Sequence, residues 1–312
     1  MKDMYEYLGE YPKDRRNGWN KNLQGVCHDD KNWFFTQTEK LWKFPVGHPL
    51  NEKVEKADPV NGILMLDYRK FRNDHDVHLG DIDYFCYNKK GYIFAPVEED
   101  GEPYIAVFSA EDLSFITKQT IKRNGRYYEH LAWCAINPND GCLYTSDGTV
   151  KCTFEDEASP IVVYSVDYEA VQNKSGNFLN LLRYLYPTDE DGHWVERKET
   201  QGGCFDDKNH LHISNGYGWG ERSNDDFGIA VFDVPADETT INAKMITHSR
   251  NAYPFKFEFH SLYGEEVEGL TYWDLTERGK APHIRGVLHV IMLDNDIGDK
   301  DDIYFKHYDI IV

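Results

Sequence analysis

Two pairs of acidic residues in this 312-residue chain have a spacing that lets carboxylates act together. One residue separates Asp81 from Asp83 in HLGDIDY, and one separates Glu266 from Glu268 in EEVEGLTYWD. Side chains at i and i+2 of a strand point to one side, so each pair presents two carboxylates together. Carboxylates held close repel each other unless a proton or cation neutralises them, and oxygen ligands suit calcium or magnesium. We therefore predict a divalent cation, calcium by preference, whose ligands are Asp81, Asp83, Glu266 and Glu268.

Two histidines are the candidates for proton transfer beside these carboxylates. His78 lies three residues before Asp81, and His130 lies three residues before Trp133. Imidazole changes its charge near neutral pH, so either ring could act as a general base or join carboxylates around a transition metal. We predict His78 and His130 as the catalytic residues.

A repeated phrase indicates how distant parts of the chain come together. QGVCHDDKN begins at Gln24, and QGGCFDDKN begins at Gln201. Similar segments start at positions 24, 83, 133, 201 and 268, each followed by a turn with Asp, Asn or Gly and by apolar, strand-like stretches. Units of three or four strands that recur at such a period are typical of β-propeller blades.

The repeats predict an all-β fold, a five-bladed β-propeller that forms a single domain over residues 1–312. The N-terminal segment YEYLGEY is expected to supply the outer strand of the last blade and so close the ring. A sixth, degenerate blade between residues 169 and 200 is the alternative count. The stretch FLNLLRYLY from Phe178 is ambiguous between helix and strand.

Polar residues at the starts of the inner strands are the candidates for ligand contact, because a propeller brings these starts together at its axis. The alternative is that such groups only bond to backbone amides at the strand ends. Aromatic residues flanked by glycines in SNGYGWGERSNDD are further candidates for exposed contacts. The predicted substrate-binding residues are Gln24, His28, Trp133, Gln201, Tyr217 and Trp219.

Charge and hydropathy exclude some partners. The chain has 34 basic and 54 acidic residues and a formal net charge of −20, which repels nucleic-acid phosphates and anionic lipids. No apolar stretch is long enough to cross a membrane, and the start has no signal-peptide core. The six cysteines form no CxxC pair. We expect no nucleic-acid or membrane partner and a cytoplasmic location, or a secreted form whose signal peptide is absent.

Some segments resemble those of known propellers. The runs QGGCFDD, EVEGLTYWDL and LDND with DDIYFKHY resemble segments of uncharacterised bacterial propeller proteins. More loosely, EVEGL is similar to the acidic inner-strand segment of calcium-dependent propeller hydrolases of the lactonase-like, phytase-like and esterase-like groups. This resemblance implies that Glu268 is a metal ligand.

Two functions remain after these observations. The first is a metal-dependent hydrolase that cleaves an ester, lactone or phosphoester of a small molecule at the channel mouth. The second is a noncatalytic propeller that binds a glycan or a protein through aromatic loops. The axial acids and histidines favour the hydrolase, and the glycine-flanked aromatic residues favour the binding protein.

Overall fold

In the computed structural model, the regular secondary structure of the described residues is almost all β-strand. The described residues are 4–13, 18–123, 125–128, 130–150, 159–215, 217–218, 228–237, 240–250, 265–277, 279–296 and 300–311. Among them, helical structure is limited to a 3-10 turn (Pro59–Asn61) and two short helices, α1 (Tyr68–Phe71) and α2 (Tyr168–Gln172). None of the described helices is long and apolar enough to span a membrane.

The strands follow one another in short antiparallel hairpins. The first half of the chain contains β1 (Tyr5–Lys13), β2 (Leu23–His28), β3 (Asn32–Gln37), β4 (Lys40–Pro45), β5 (Leu64–Asp67), β6 (Val77–Leu79), β7 (Asp83–Tyr87), β8 (Lys90–Glu99), β9 (Glu102–Ser109), β10 (Phe115–Thr120), β11 (Lys122–Arg123), β12 (Arg126–Tyr127), β13 (Ala135–Ile136), β14 (Leu143–Thr145) and β15 (Thr149–Val150). The second half contains β16 (Ile161–Val166), β17 (Leu179–Thr188), β18 (Arg197–Lys198), β19 (Thr200–Phe205), β20 (His210–Asn215), β21 (Tyr217–Gly218), β22 (Gly228–Asp233), β23 (Asn242–Arg250), β24 (Glu265–Tyr272), β25 (Leu288–Asp296) and β26 (Lys300–Ile310).

Hydrogen bonds join these strands into a series of meandering sheets. One sheet has the order β2-β3-β4-β5, and the next has the order β10-β9-β8-β6 with β7 also paired to β8. An eight-stranded sheet has the order β13-β14-β16-β17-β23-β22-β20-β19, in which β17 and β23 pair in parallel. A further sheet has the order β1-β26-β25-β24-β21, and the pairs β11-β12 and β15-β18 are small additions.

Turn residues with left-handed backbone allow the tight hairpins that the sequence predicts. Asn88 and Lys89, between β7 and β8, have φ angles of 50° and 63°. Asn209, in the DDKN turn between β19 and β20, has a φ of 70°. Positive φ at both central residues is the geometry of a type I′ turn, whose twist matches that of the strands it joins. The Asn-containing turns therefore set the register of these hairpins.

The segment FLNLLRYLY is a strand rather than a helix. Its residues from Leu179 onward form β17, which pairs with β16 from Leu179↔Val166 to Leu185↔Ile161. Apolar side chains at several neighbouring positions make the hydrophobic period of this segment compatible with either a helix or a strand. Its pairing with β16 shows that it is a strand. This strand, Leu179–Thr188, lies in the middle of the stretch 169–200, where the sequence left a sixth blade open.

Hydrophobic clusters fill the spaces between neighbouring sheets. One cluster joins β3 and β4 to β25 and β26 through residues such as Trp33 and Phe305, and another joins β3 to β8 and β9 through Phe34 and Phe108. Further clusters join β8 and β9 to β14 and β16, β14 and β16 to β20 and β22, and β22 to β25. These contacts connect each sheet to its neighbours and the last sheet to the first; the count of five blades stays a prediction.

The N-terminal strand β1 pairs with β26 along most of its length, from Tyr5↔Ile310 to Lys13↔Tyr304. Two buried polar contacts add to this pairing. The Tyr5 hydroxyl lies 2.6 Å from Nδ1 of His212 in β20, and His307 Nε2 lies 3.2 Å from the Tyr11 carbonyl oxygen. The segment YEYLGEY thus occupies the outer edge of the last sheet, and its role in closing a ring stays a prediction.

The buried His307 ring predicts a loss of stability in acid. Burial lowers its pKa to about 3, although a hydrogen bond with the Tyr11 carbonyl opposes this effect. Between pH 3 and the ordinary value of 6.5, the unfolded chain therefore binds the proton more readily than the folded chain does. Stability rises with pH in this window, by up to about 1.4 kcal/mol per pH unit for this ring.

Urea unfolding between pH 4 and pH 7 checks this expectation. The His307→Gln variant should show a shallower dependence of unfolding free energy on pH than the unmodified protein. Lys56→Gln, an exposed substitution that removes no imidazole, is the control and should leave the slope unchanged. Equal slopes for the unmodified protein and the His307 variant would show that the ring does not titrate as its burial requires.

Asp81 is the point where three distant strands meet. Its carboxylate is fully buried and accepts hydrogen bonds from the backbone N–H groups of Val26 (3.0 Å), Gly203 (3.0 Å) and Leu270 (3.3 Å). Its own neighbour Ile82 donates a fourth bond, of 3.1 Å. We call β2, β19 and β24, which carry the three distant donors, the inner strands. One side chain therefore satisfies amides from three separate parts of the chain.

The repeated phrase has a structural explanation in these contacts. Each inner strand contains Gln or Glu, then Gly, then the residue that donates to Asp81: Gln24-Gly25-Val26, Gln201-Gly202-Gly203 and Glu268-Gly269-Leu270. The central glycines are needed because Asp81 and the neighbouring backbones approach so closely. A Cβ atom on Gly25 would lie 2.5 Å from the Asp81 Cα, and one on Gly202 would lie 2.8 Å from an Asp81 carboxylate oxygen.

A methyl group at Gly269 is expected to be costly. Its Cβ would overlap the Asp81 carboxylate and lie 2.6 Å from the Gly25 Cα, so backbones would have to move apart. Overpacking of this kind costs about 1–3 kcal/mol. Chemical denaturation of Gly269→Ala should show this loss, whereas Gly47→Ala, which meets nothing within 4 Å, should be neutral or slightly stabilising. Equal stability of the two variants would contradict the close packing around Asp81.

Candidate functional site

A pocket of about 280 Å³ opens at the starts of the inner strands. Its walls come from several sheets, because Gln24 is the second residue of β2, Gln201 is the second residue of β19 and Glu268 lies in β24. We call it the axial pocket. Its functional side chains are the carboxyl groups of Glu98, Glu199, Glu266 and Glu268, the imidazoles of His78 and His130, and the amides of Gln24 and Gln201. Within the described part of the chain, no lysine or arginine lines it.

Glu268 is the most unusual of these groups. Its side chain is 2% exposed, and its Oε1 atom has no hydrogen-bond partner among the described residues. Burial raises the pKa of Glu268 well above its usual value, and the Glu266 carboxyl, which is within hydrogen-bonding reach, raises it further. A buried carboxyl of this kind holds its proton at a pH at which an exposed glutamate has lost it.

Glu98 and His130 form a second group on the pocket wall. His130 Nδ1 lies 3.8 Å from Glu98 Oε1, and the same oxygen accepts a 2.8 Å hydrogen bond from the Leu131 backbone N–H. The His130 backbone N–H in turn donates to Asp147, at 2.9 Å. These contacts hold an exposed imidazole beside a carboxylate, an arrangement that can accept a proton from water.

His78 and Gln24 form a third group. His78 Nε2 lies 2.7 Å from the Gln24 side-chain oxygen, so this nitrogen carries the proton when the amide is oriented in this way. Partial desolvation between the walls lowers the pKa of His78, opposed by the charges of Glu98 and Glu266. The ring is therefore neutral at neutral pH and presents both a donor and an acceptor.

The first predicted acidic pair differs from the pocket carboxylates. Asp81 is enclosed by the amides of the inner strands; burial raises its pKa well above the usual value, and the amide hydrogen bonds lower it. Asp83 accepts hydrogen bonds from the backbone N–H groups of Ile136 (2.6 Å) and Tyr84 (2.7 Å), and burial raises its pKa to about 7. Both carboxylates therefore accept hydrogen bonds from backbone N–H groups, which is the alternative to ligand contact that the sequence left open.

Two predicted substrate-binding residues lie away from the axial pocket. His28 is at the opposite end of β2 from Gln24, where its ring stacks on Trp273 at 4.3 Å between ring centres and its Nε2 lies 2.8 Å from the Tyr272 carbonyl oxygen. Trp133 is fully buried, and its indole N–H donates to the Ser146 hydroxyl at 2.9 Å. Both rings belong to the packing between sheets, as large buried aromatic groups commonly do.

The predicted loop aromatics are only partly described. The backbone of Tyr217 pairs with that of Glu266, which brings the start of this loop to the strand that carries the axial glutamates. Trp219 lies outside the described residues. Whether either ring contacts a ligand stays a prediction.

The predicted four-carboxylate metal site is divided by the structure. Glu266 and Glu268 line the axial pocket, whereas Asp81 and Asp83 do not. Across the described residues, the single group of three potential metal ligands within 4.8 Å of one another is Asp189, Asp191 and His193. That group is in a surface loop and is mostly exposed. The cation at the axis therefore stays a prediction, with Glu266 and Glu268 as the ligands that the pocket offers.

Two pocket residues were missed by the sequence analysis. Glu98, near the end of β8, follows an apolar stretch and has no motif around it. Glu199 stands two residues before Gln201, just as Glu266 stands two residues before Glu268. Comparing the inner strands residue by residue, beyond their shared glycine, would have identified Glu199.

A larger cavity, of about 960 Å³, has a different character. All of its lining residues belong to the single segment 45–63. It therefore lacks the convergence of side chains from several sheets that distinguishes the axial pocket, although His48 Nε2 is buried there without a partner in the described residues. We place the candidate active site in the axial pocket.

Comparison with known proteins identifies the fold. No protein-family model and no curated protein matches the chain. Among solved structures, the RS223 β-xylosidase is 13% identical with a TM-score of 0.52, and the alignment covers 96% of this chain and 94% of that one. The GH43_1 enzyme from Xanthomonas citri complexed with xylose is 10% identical with a TM-score of 0.53, covering 97% of this chain and 90% of that one.

These likenesses define the class of protein as a β-propeller. The all-β architecture predicted from the repeats is confirmed to that extent. Identities of 10% and 13% show a shared fold alone, so the activity has to be inferred from the side chains of the axial pocket.

Proposed function

We propose that the protein is a hydrolase that cleaves a glycosidic bond of a neutral carbohydrate in the axial pocket, with Glu268 as the proton donor. The observation that carries this proposal is the 2% exposed carboxyl of Glu268, whose Oε1 atom has no hydrogen-bond partner among the described residues. Departure of a sugar oxygen requires a proton, and a carboxyl group whose pKa is raised by burial can still supply one near neutral pH.

The partner of Glu268 in catalysis must stand farther away than Glu266. The acid and the second carboxyl group of a glycosidase lie about 5–5.5 Å apart in retaining enzymes and about 6.5–9.5 Å apart in inverting enzymes. A hydrogen-bonded pair is closer than either, so we assign Glu266 to holding the proton on Glu268. Glu98 with His130, on another sheet, then activates the water.

The remaining polar groups suit hydroxyl recognition. Gln24, His78 and Gln201 offer donors and acceptors without permanent charge, which match the hydroxyl groups of a sugar. A lining with four glutamates and without lysine or arginine among the described residues repels phosphate and carboxylate substrates. A phosphoester substrate is therefore disfavoured.

An ester or lactone substrate would make a different demand on the pocket. Acyl transfer develops an oxyanion, which needs N–H donors or a cation. The nearby amides of Val26, Gly203 and Leu270 already donate to Asp81. Such a reaction would then require a divalent cation at Glu266 and Glu268. A glycosidic bond needs only the acid and the base, and the names of the two fold neighbours, a β-xylosidase and an enzyme complexed with xylose, are compatible with it.

A panel of chromogenic substrates tests the proposal. We expect release of the chromophore from one or more neutral aryl glycosides, unchanged by a chelator. Hydrolysis of aryl esters alone, abolished by the chelator, would replace the proposal with the cation-dependent hydrolase. Binding of glycans in calorimetry without any hydrolysis would replace it with the noncatalytic binding protein.

A further inference from the structure

A second pocket, of about 580 Å³, lies at the other end of the strands that bound the axial pocket. Gln24, which lines the axial pocket, stands near the start of β2, whereas Asp29, which lines the second pocket, follows its end. Likewise Gly80 precedes β7 and Lys89 follows it. At about 3.3 Å per residue, the five steps from Gln24 to Asp29 span roughly 16 Å, so the two pockets are separate.

The second pocket has a concentration of positive charge. Five lysines but only two acidic residues, Asp29 and Glu111, are among its lining residues. The whole chain has the opposite balance, with 34 basic and 54 acidic residues. The lysines come from separate parts of the fold: the β2–β3 turn, β4, the β7–β8 turn with the first residue of β8, and the residues after α2. We call this site the lysine pocket; its lysines are Lys31, Lys43, Lys89, Lys90 and Lys174.

Four of these lysines have no counter-ion among the residues that the structure describes. Some lysines elsewhere in the described chain do pair with a carboxylate within 4.0 Å, namely Lys53, Lys70, Lys118 and Lys198. Lys31, Lys89, Lys90 and Lys174 are exposed and make no such pair. The nearby Asp29 carboxylate is occupied by the backbone N–H groups of Lys31 and Asn32, at 2.7 Å each.

The fifth lysine is fixed in the wall of the pocket. Lys43 Nζ donates to the carbonyl oxygens of Ala110 (2.8 Å) and Glu111 (2.9 Å), which joins β4 to the end of β9. Tyr84 and Gln172 add polar groups to the lining. The pocket therefore has a defined wall with exposed ammonium groups around it.

We propose that the lysine pocket binds a small oxyanion with two or more negative charges, of the phosphate or pyrophosphate type. Ammonium groups act as point charges on phosphate oxygens, and several of them can neutralise one multivalent anion at once. In a chain of net charge −20, unpaired lysines that converge on one recess are best explained by an anionic ligand. This site is independent of the proposed hydrolysis, whose pocket excludes anions.

Calorimetric titration with sodium pyrophosphate at low ionic strength tests the proposal. The pocket variant is Lys89→Asn with Lys90→Gln, since asparagine tolerates the left-handed backbone of position 89, where φ is 63°. The control variant is Lys53→Gln with Lys198→Gln, which removes the same charge from exposed sites elsewhere. We expect pyrophosphate to bind the unmodified protein, the pocket variant to bind about 10-fold or more weakly, and the control to bind within about twofold of the unmodified protein.

Two results would overturn the proposal. One is absence of binding to the unmodified protein at millimolar pyrophosphate. The other is equal weakening in both variants, which would show that only net charge matters. Thermal unfolding without ligand checks that the two variants are folded, and its midpoints should be similar for all three proteins. Inorganic phosphate carries fewer charges than pyrophosphate and should bind more weakly.

Discussion

Replacing Asp81 with alanine is expected to lower the free energy of unfolding by about 4 kcal/mol or more, because each buried amide left without a partner costs about 1–3 kcal/mol. Four backbone N–H groups lose their acceptor, three of them on separate inner strands. The carboxylate is fully buried, so solvent does not compete for these donors in the folded protein. The loss should also reduce the cooperativity of unfolding, since the inner strands would no longer be joined at one point.

Urea denaturation measures this loss against a matched control. Asp67 also accepts a backbone hydrogen bond, from Lys70 at 3.0 Å, but at an exposed helix start. Its replacement by alanine should cost only about 1 kcal/mol. Asp81→Asn, which keeps one oxygen, should fall between the two. If Asp81→Ala were no less stable than Asp67→Ala, the carboxylate could not be the common acceptor of the inner strands.

Replacing Glu268 with glutamine is expected to lower kcat by roughly 100-fold or more on substrates whose leaving group needs a proton. Glutamine keeps the size of the side chain but cannot donate the acidic proton. Because burial makes ionisation of the Glu268 carboxyl unfavourable, the uncharged glutamine should leave the folded protein at least as stable as the unmodified one. Glu196→Gln, at an exposed site, is the control and should retain full activity.

The pH dependence of kcat/KM separates the roles of the two axial glutamates. Activity should fall as pH rises through the raised pKa of Glu268, since the proton donor is lost there. In Glu266→Gln the neighbouring charge that raises this pKa is gone, so the alkaline limb should move to lower pH. A limb that stays in place in Glu266→Gln would show that Glu266 does not hold the proton on Glu268.

The repeated phrase in the sequence was informative because it marks a backbone constraint. Gly25, Gly202 and Gly269 are required wherever an inner strand passes Asp81, so the same short pattern recurs at distant positions. The polar residue before each glycine, such as Gln24 or Gln201, lines the axial pocket. Local spacing could therefore predict the inner strands and part of the pocket.

The roles of the acidic residues could not be derived in the same way. The spacing of Asp81 and Asp83 suggested a shared ligand, but Asp81 precedes β7 and forms an isolated bridge with Trp133. Two of the backbone N–H groups that donate to its carboxylate, those of Gly203 and Leu270, belong to strands more than 100 residues away. Glu98 reaches the pocket only because β8 pairs with β6 and β7. Contacts of this kind exist only once the sheets have assembled.

The most direct test of Glu268 as proton donor compares two neutral aryl glycosides that differ only in their leaving group. A dinitrophenol leaves without a proton, whereas an unactivated phenol needs one. We predict that Glu268→Gln retains most of its kcat/KM on the dinitrophenyl glycoside and loses it on the phenyl glycoside. Equal losses on both substrates, or no loss on either, would contradict the assignment of Glu268 as the acid.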